Sequence, residues 1–455
     1  MLLPLSTEWA SRSQTPESLL VNMYAEPSPQ GPRGFILRGR PGLSFYAQWG
    51  SGPIRLIYLD GFNVYVISGT EVYFNGTLIG TVASGGTCQA AASESQIVFT
   101  SGGNAYVVTS VDVQQITDPD LPSVSGVAFS NGRFVFPEQN TSQFVYSDIG
   151  DATSIDGLSY SNAESSNDPI LRVVNLGDEL IFLGSLTIEY HVPTQDASNP
   201  WRRSAGRTQS IGCLAPLSVV AADNGVFFIG QEAGAGRAVY RTDGGIAQRI
   251  STPSVDAALQ ASPGFSPTTA VGFVVYNESH TFYVITVPDE FTLAYDVATR
   301  KWAKWGSYNR NDFKVTAGFG SFYGDEDGNL CTFDAAKFAD DTGSSTTEAL
   351  IRECSAWVPM ERWGGCNRLN LECGTGVSLA SGQGSDAQVE MRYSDDMSGS
   401  FVSWVSRDLG LIGDRDTRVS WPQLGQMRPP GRLFHFRCSD PVDFVAVGLS
   451  MNVRA

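Results

Sequence analysis

Residues 273–305 read FVVYNESHTFYVITVPDEFTLAYDVATRKWAKW. Phe273–Tyr276 is a first short strand. The polar turn Asn277-Glu278-Ser279 leads into His280–Val287, where Phe282, Val284 and Ile285 give the aromatic and β-branched enrichment of a strand. Pro288-Asp289-Glu290 turns the chain into Phe291–Asp296, and Val297–Lys301 turns it again before Trp302 and Trp305. An antiparallel meander of this length, ending on tryptophans, has the form of one β-propeller blade. Its apolar faces cannot be buried alone, so neighbouring units must cover them.

Working outward, units of about forty residues recur, a propeller-like period. They are Ile54–Val82, Cys88–Ile116, Val124–Ile149, Ile170–Tyr190, Leu217–Ile250, the opening stretch, and Lys314–Phe333. Asp60-Gly61, Asn75-Gly76, Asn131-Gly132, Asn224-Gly225 and Asp243-Gly244 supply hairpin turn signals within them. The last unit is one strand short, and an N-terminal strand such as Phe35–Arg38 would complete it and close the ring. Seven blades are expected, six being the alternative. Asp340–Thr347, DDTGSSTT, reads as a polar linker, and residues 348–455 carry a further run of strands whose texture fits a β-sandwich. The expected fold is all-β: residues 1–50 an extended segment completing the ring, 51–339 the propeller, 340–347 a linker, and 348–455 the sandwich.

Composition agrees with a large, turn-rich β-protein: 455 residues, 48 Gly, 23 Pro and only 17% charged. No apolar run is long enough to cross a bilayer, and the N-terminal MLLPLSTEW lacks the basic region of a signal peptide. The net charge of −17 makes wrapping of nucleic acid by phosphate neutralisation a poor fit, while leaving room for a passage to which DNA does not stick. Seven cysteines without a CxxC pair point to free thiols in a reducing compartment.

Few strings suggest chemistry. Tyr393–Phe401 is similar to the Asp-containing hairpin of sialidase propellers, a structural turn. Asp325–Asn329 lacks the spacing and distal Glu of an EF-hand, so a solvated hairpin turn is expected. No nucleophile elbow, P-loop, HExxH or dinucleotide fingerprint is present. The most basic stretch is Pro193–Gly212, with Trp201, Arg202, Arg203 and Arg207 as candidate interface residues. It reads as an inter-blade loop, its arginines set against carboxylates at an interface rather than facing a DNA passage.

Several strings together resemble the packaged-DNA stabilisation proteins of short-tailed bacteriophages, also called tail hub or nozzle proteins. These are Val21–Ala25 with Arg40-Pro41-Gly42-Leu43, Tyr160–Ser165, Phe182–Tyr190, Ile211–Pro216, Arg249–Thr252 and Arg437–Val442. The resemblance runs nearly end to end and in order. It implies a non-enzymatic virion-tail protein, assembled in the bacterial cytoplasm. Such a protein forms a homohexameric tube below the adaptor ring and portal, retains packaged DNA and conducts it during ejection without reading its sequence. A needle or plug, and in some phages tailspikes or fibres, attach nearby. No catalytic residue, metal or cofactor comes with the resemblance. The alternative is a carbohydrate-binding or carbohydrate-cleaving tail propeller, although the β-helix repeats common in tail enzymes are not seen.

Overall fold

The computed structural model describes residues 3–8, 18–29, 31, 33–163, 168–196, 199–344, 347–395 and 400–454. In the stretch 273–305, Phe273, Val284, Ala294 and Ala303 lie in register across four antiparallel strands; Val274, Tyr283, Tyr295 and Trp302 do so on the other face. One face packs toward the following unit and the other toward the preceding one. Burial on both faces explains why the stretch is almost continuously apolar instead of alternating.

Seven four-stranded blades follow one another. Blade one spans 54–81, two 89–115, three 128–162, four 170–203, five 211–249 and six 271–305. Blade seven combines Val315–Phe319, Phe322–Asp325 and Asn329–Asp334 with Gly42–Gln48 from the N-terminal region. The first strand of each blade touches the first strand of the next, and that of blade seven touches blade one. Seven buried apolar clusters fill the gaps between neighbouring blades. The closing strand is thus Gly42–Gln48 and not Phe35–Arg38, which pairs elsewhere.

The turns at Asn75-Gly76 and Asn131-Gly132 form as read, with positive φ at both residues. Two others slip by one residue. Gly61-Phe62 and Asp223-Asn224 are the loop pairs, because Asp60 pairs with Asn63 and Ala222 with Gly225. Both satisfy hairpin geometry: Gly61 supplies the positive φ of a type II′ turn, and Asp223 and Asn224, at φ 48 and 52, those of type I′. The α-helix Pro253–Ala261, absent from the sequence reading, starts on a Thr252 cap that accepts from the Val255 amide, with proline at its first turn. It buries Val255 and Leu259 beside blade five.

The C-terminal strands form the two facing sheets of a sandwich, and the N-terminal region supplies three of their members. Leu20–Val21, Arg352–Pro359, Gly431–Cys438, Gln388–Ser394 and Val405–Asp408 make one sheet. Met23–Ser28, Gly34–Gly39, Val445–Arg454, Gly364–Cys373 and Ser420–Pro422 make the other. The segment 1–50 therefore divides: one strand goes to the ring and three to the sandwich. Val21 pairs with Lys304 of blade six on one side and with Glu353 on the other, so blade six runs on into the sandwich as one nine-stranded sheet. A single apolar cluster joins Phe282 and Trp305 of the ring to Trp421 and Phe436 of the sandwich. The expected linker is also ordered at both ends, with Ala339-Asp340 paired to Glu348-Ala349; Ser345 and Thr346 lie outside the described residues. All seven cysteines are free thiols.

Candidate functional site

The basic stretch 193–212 is not one loop. Trp201–Arg203 is the outer strand of blade four, paired to His191–Pro193, and Ala205–Arg207 is a 3-10 turn. Ala197 and Ser198 lie outside the described residues. Trp201 is 3% exposed, stands edge-on to Phe144 and Tyr146, and donates from Nε1 to Ser130 Oγ at 3.1 Å. It packs between blades three and four and is not presented to a partner. Arg207 makes two 2.7 Å hydrogen bonds to the Glu179 carboxylate and lies over the Tyr190 ring. The Arg207 guanidinium holds the Glu179 carboxyl below the usual carboxylate range. Arg203 comes within 4.0 Å of the buried Glu189, and Arg202 is exposed on the outer edge. The stretch therefore offers a partner Arg202 and part of Arg203, not three unpaired cations.

The ring axis holds a second group of charges. Its mouth is a cavity of about 420 Å³ bordered by Arg310, Asp312, Lys314 and Glu326. Arg310 bonds Asp312 through Nε at 2.9 Å and also reaches Glu326. Burial alone would raise the Asp312 carboxyl, but the Arg310 guanidinium and the Asp289 amide outweigh it and hold it low. Lys314 Nζ lies 3.2 Å from Asp325 and 2.8 Å from Asp327. Asp325 is buried and also accepts the amides of Asp327 and Asn329, so an ammonium and backbone donors already occupy its carboxylate. It is a hairpin turn as expected, exposed at Glu326 and Asp327 and held from beneath by the buried Asp325.

A second space of about 340 Å³ adjoins it along the axis, lined by Arg55, Cys88 and Arg172 among others. Gln89 Nε2 of blade two bonds the Val173 carbonyl of blade four at 2.6 Å, across blade three. A β-carbon on Gly126, just before blade three, would stand 2.3 Å from Gln89 Oε1 and would push this amide aside. A space of this size has no room for a duplex, whose major groove alone is about 12 Å wide.

Two pairs of the strings that carry the resemblance meet in space, while the end of Tyr160–Ser165, residues 164 and 165, lies outside the described residues. Asn22 Oδ1 accepts from Arg40 Nε at 2.9 Å, and Arg40 clasps the buried Asp340 through both terminal nitrogens, at 2.6 and 3.0 Å. The Arg40 guanidinium also lies over the Phe313 ring. In blade four, Asp168 accepts the Leu186 and Thr187 amides of the turn in Phe182–Tyr190, and Gly212 of Ile211–Pro216 packs against the Ser185 carbonyl. In Arg437–Val442, the Asp440 and Val442 carbonyls accept from the buried Arg352. Asp395 of the sialidase-like hairpin receives both Nε and Nη2 of Arg432; residues 396–399 lie outside the described residues. Sequence reasoning missed Asp340, Asp168 and Arg352 as partners of these strings. Asp340 and Arg352 each close contacts tens to hundreds of residues away, which no local pattern signals. Among the described residues, no cluster of His, Cys, Asp and Glu is placed to hold a metal ion.

The model of the phage-stabilisation family, described as the Bacteriophage P22 Gp10 β-propeller, matches residues 8–314. No curated protein matches the chain. Among solved structures the chain is similar to YCF48 bound to D1 peptide, at 11% identity over 65% of this chain and 97% of that one, TM-score 0.38. It is similar to BamB from Moraxella catarrhalis, at 11% identity over 73% and 94%, TM-score 0.35. It is also similar to an exo-β-1,3-galactanase from Phanerochaete chrysosporium, at 9% identity over 81% and 96%, TM-score 0.32.

Proposed function

The chain belongs to the phage-stabilisation family of β-propellers, and from that premise we propose that it is a non-enzymatic tail hub or nozzle subunit of the virion. Six copies close a tube below the adaptor ring and portal, which helps retain packaged DNA and conducts it during ejection. A needle or plug, and tailspikes or fibres where present, attach to this tube, and the parts assemble in the host cytoplasm. The family match carries the reading. Two physical points support it. The propeller axis, whose spaces measure about 420 and 340 Å³, is too small for a duplex and leaves a DNA conduit to form between copies and not through one copy. The charge of −17 suits walls along which DNA passes without being held by counterion release. In such a ring the outer edge of blade four, with Arg202 exposed, is a candidate contact between subunits or with a partner.

Light scattering on the purified protein, alone and mixed with the adaptor, tests the assembly. Hexamers, formed unaided or on the adaptor, are expected. A persistent monomer that cleaves polysaccharide contradicts the proposal and favours a carbohydrate-active propeller.

A further inference from the structure

Two exposed patches of opposite charge stand at different places on this chain. The first is at one end of the sandwich, where the hairpin 359–364 leads from Arg352–Pro359 into Gly364–Cys373. Trp363 in this hairpin is 64% exposed. Gly364 pairs with Met427, which sets Arg428 across from Trp363, and Arg362 precedes the tryptophan. Arg368 lies farther along the same strand, opposite Pro422. All three arginines are exposed and, among the described residues, none has an ion pair or a side-chain hydrogen bond. Glu361 is exposed in the same hairpin and pairs with none of them. In a chain of net charge −17 this is a basic patch around an exposed tryptophan. Tryptophan and arginine are among the side chains that most often dominate a protein–protein contact.

The second patch lies on the end of the propeller formed by the turns between the first and second strands of the blades. Three consecutive blades, six, seven and one, expose an aromatic ring there: Tyr276, Phe319 and Phe62. Phe319 stands 6.1 Å from Tyr58 of blade one, and the first strands of these blades touch, so the three rings form an arc. Asp60 of blade one and Glu94 of blade two flank it, both exposed and, among the described residues, without an ion pair. Glu278 of blade six adds a third carboxylate, 3.5 Å from Arg38. Single exposed apolar side chains are ordinary, but a run of them on neighbouring turns with charges at its rim marks a contact surface. The two patches match in chemistry. Arginine forks meet carboxylates, and guanidinium planes lie over aromatic rings, as Arg207 does over Tyr190 in blade four. Both stay exposed within one chain, so both are open to another copy. We propose, on the premise of the tube inferred above, that neighbouring copies join head to tail, the Trp363 tip of one seated on the Phe62 arc of the next. Such a contact uses a different face on each copy, so it repeats from copy to copy as a closed assembly requires.

Light scattering on the whole chain, with the adaptor present if the tube needs it, tests the contact through two charge reversals at exposed sites. One variant carries Arg362→Glu with Arg428→Glu, the other Asp60→Arg with Glu94→Arg. Each alone sets like charges opposite one another and is expected to weaken assembly by roughly 100-fold or more. Mixed in equal amounts, the two are expected to assemble again, because every contact in an alternating tube then pairs opposite charges. Assembly of either variant alone, or none from the mixture while wild type assembles, overturns the contact and leaves the tube standing. A wild type that never assembles, even on the adaptor, overturns the tube and this contact with it. If a reversed chain does not fold, Trp363→Ala and Phe62→Ala take its place. Each is expected to lose assembly at an unchanged melting temperature, and assembly that persists in either overturns the contact. A wild-type DNA gel shift that disappears in the Arg362→Glu, Arg428→Glu chain would assign the tip to nucleic acid and likewise overturn it.

Discussion

Arg40 connects the parts of this protein that are most distant in sequence. Its guanidinium is buried with Asp340, and Asn22, held at φ 51, fixes its third nitrogen. Removing one partner of such a pair strands the other charge, so Arg40→Ala or Asp340→Asn is expected to lose about 3–5 kcal/mol in urea unfolding. Arg40→Lys is expected to recover little, since an ammonium cannot meet Asp340 and Asn22 together. Both strings around this contact, Val21–Ala25 and Arg40–Leu43, were legible as recurring text, but their buried acidic partner was not. Asp340 looks like the first residue of a polar linker until the fold places it. A second residue-scale effect comes from His280, whose Nδ1 lies 2.8 Å from Asp296. The hydrogen bond to Asp296 raises the His280 pKa above its ordinary value. A raised folded pKa gives stability that is fully present below about pH 6.5, the unfolded value, and is lost as pH rises through the folded one. His280→Gln is therefore expected to cost more stability in mildly acidic than in alkaline buffer, as read from paired urea midpoints. An equal cost at both ends contradicts the charged pair.

At the scale of elements, the blades were readable because both faces of each are buried and the turns carry Asn and Gly. Trp201–Arg203 was not, because an outer strand of three residues with two arginines has no apolar period to detect. The nine-residue helix is too short for its pattern to stand out, although Thr252-Pro253 marks its start. Gly212 shows what a blade joint demands. A β-carbon there would stand 1.9 Å from the Ser185 carbonyl oxygen, a backbone atom that cannot turn aside. Gly212→Ala is expected to cost about 3 kcal/mol from overpacking. Gly61→Ala has no atom within 4 Å of the added carbon and faces only a φ of 60, so about 1 kcal/mol is expected. Thermal melts of the two variants check the order, and equal losses contradict the packing argument.

At the scale of the whole molecule, ring and sandwich share a sheet and an apolar core. The sequence texture distinguishes two kinds of β-structure but could not show that strands at 20–39 pair with strands beyond 351. A protease cut within 341–347 is accordingly expected to leave both fragments together on a sizing column, parting only in denaturant. Two fragments that elute separately contradict the shared core. Beyond one chain, the account rests on copies surrounding a conduit that no single propeller provides. A cryo-electron-microscopy reconstruction of the virion tail tests this most directly. The account predicts six copies around the tail axis below the adaptor, with DNA density between copies and every propeller axis closed to it. A tail without this protein, a different copy number, or DNA threading a propeller axis would contradict it.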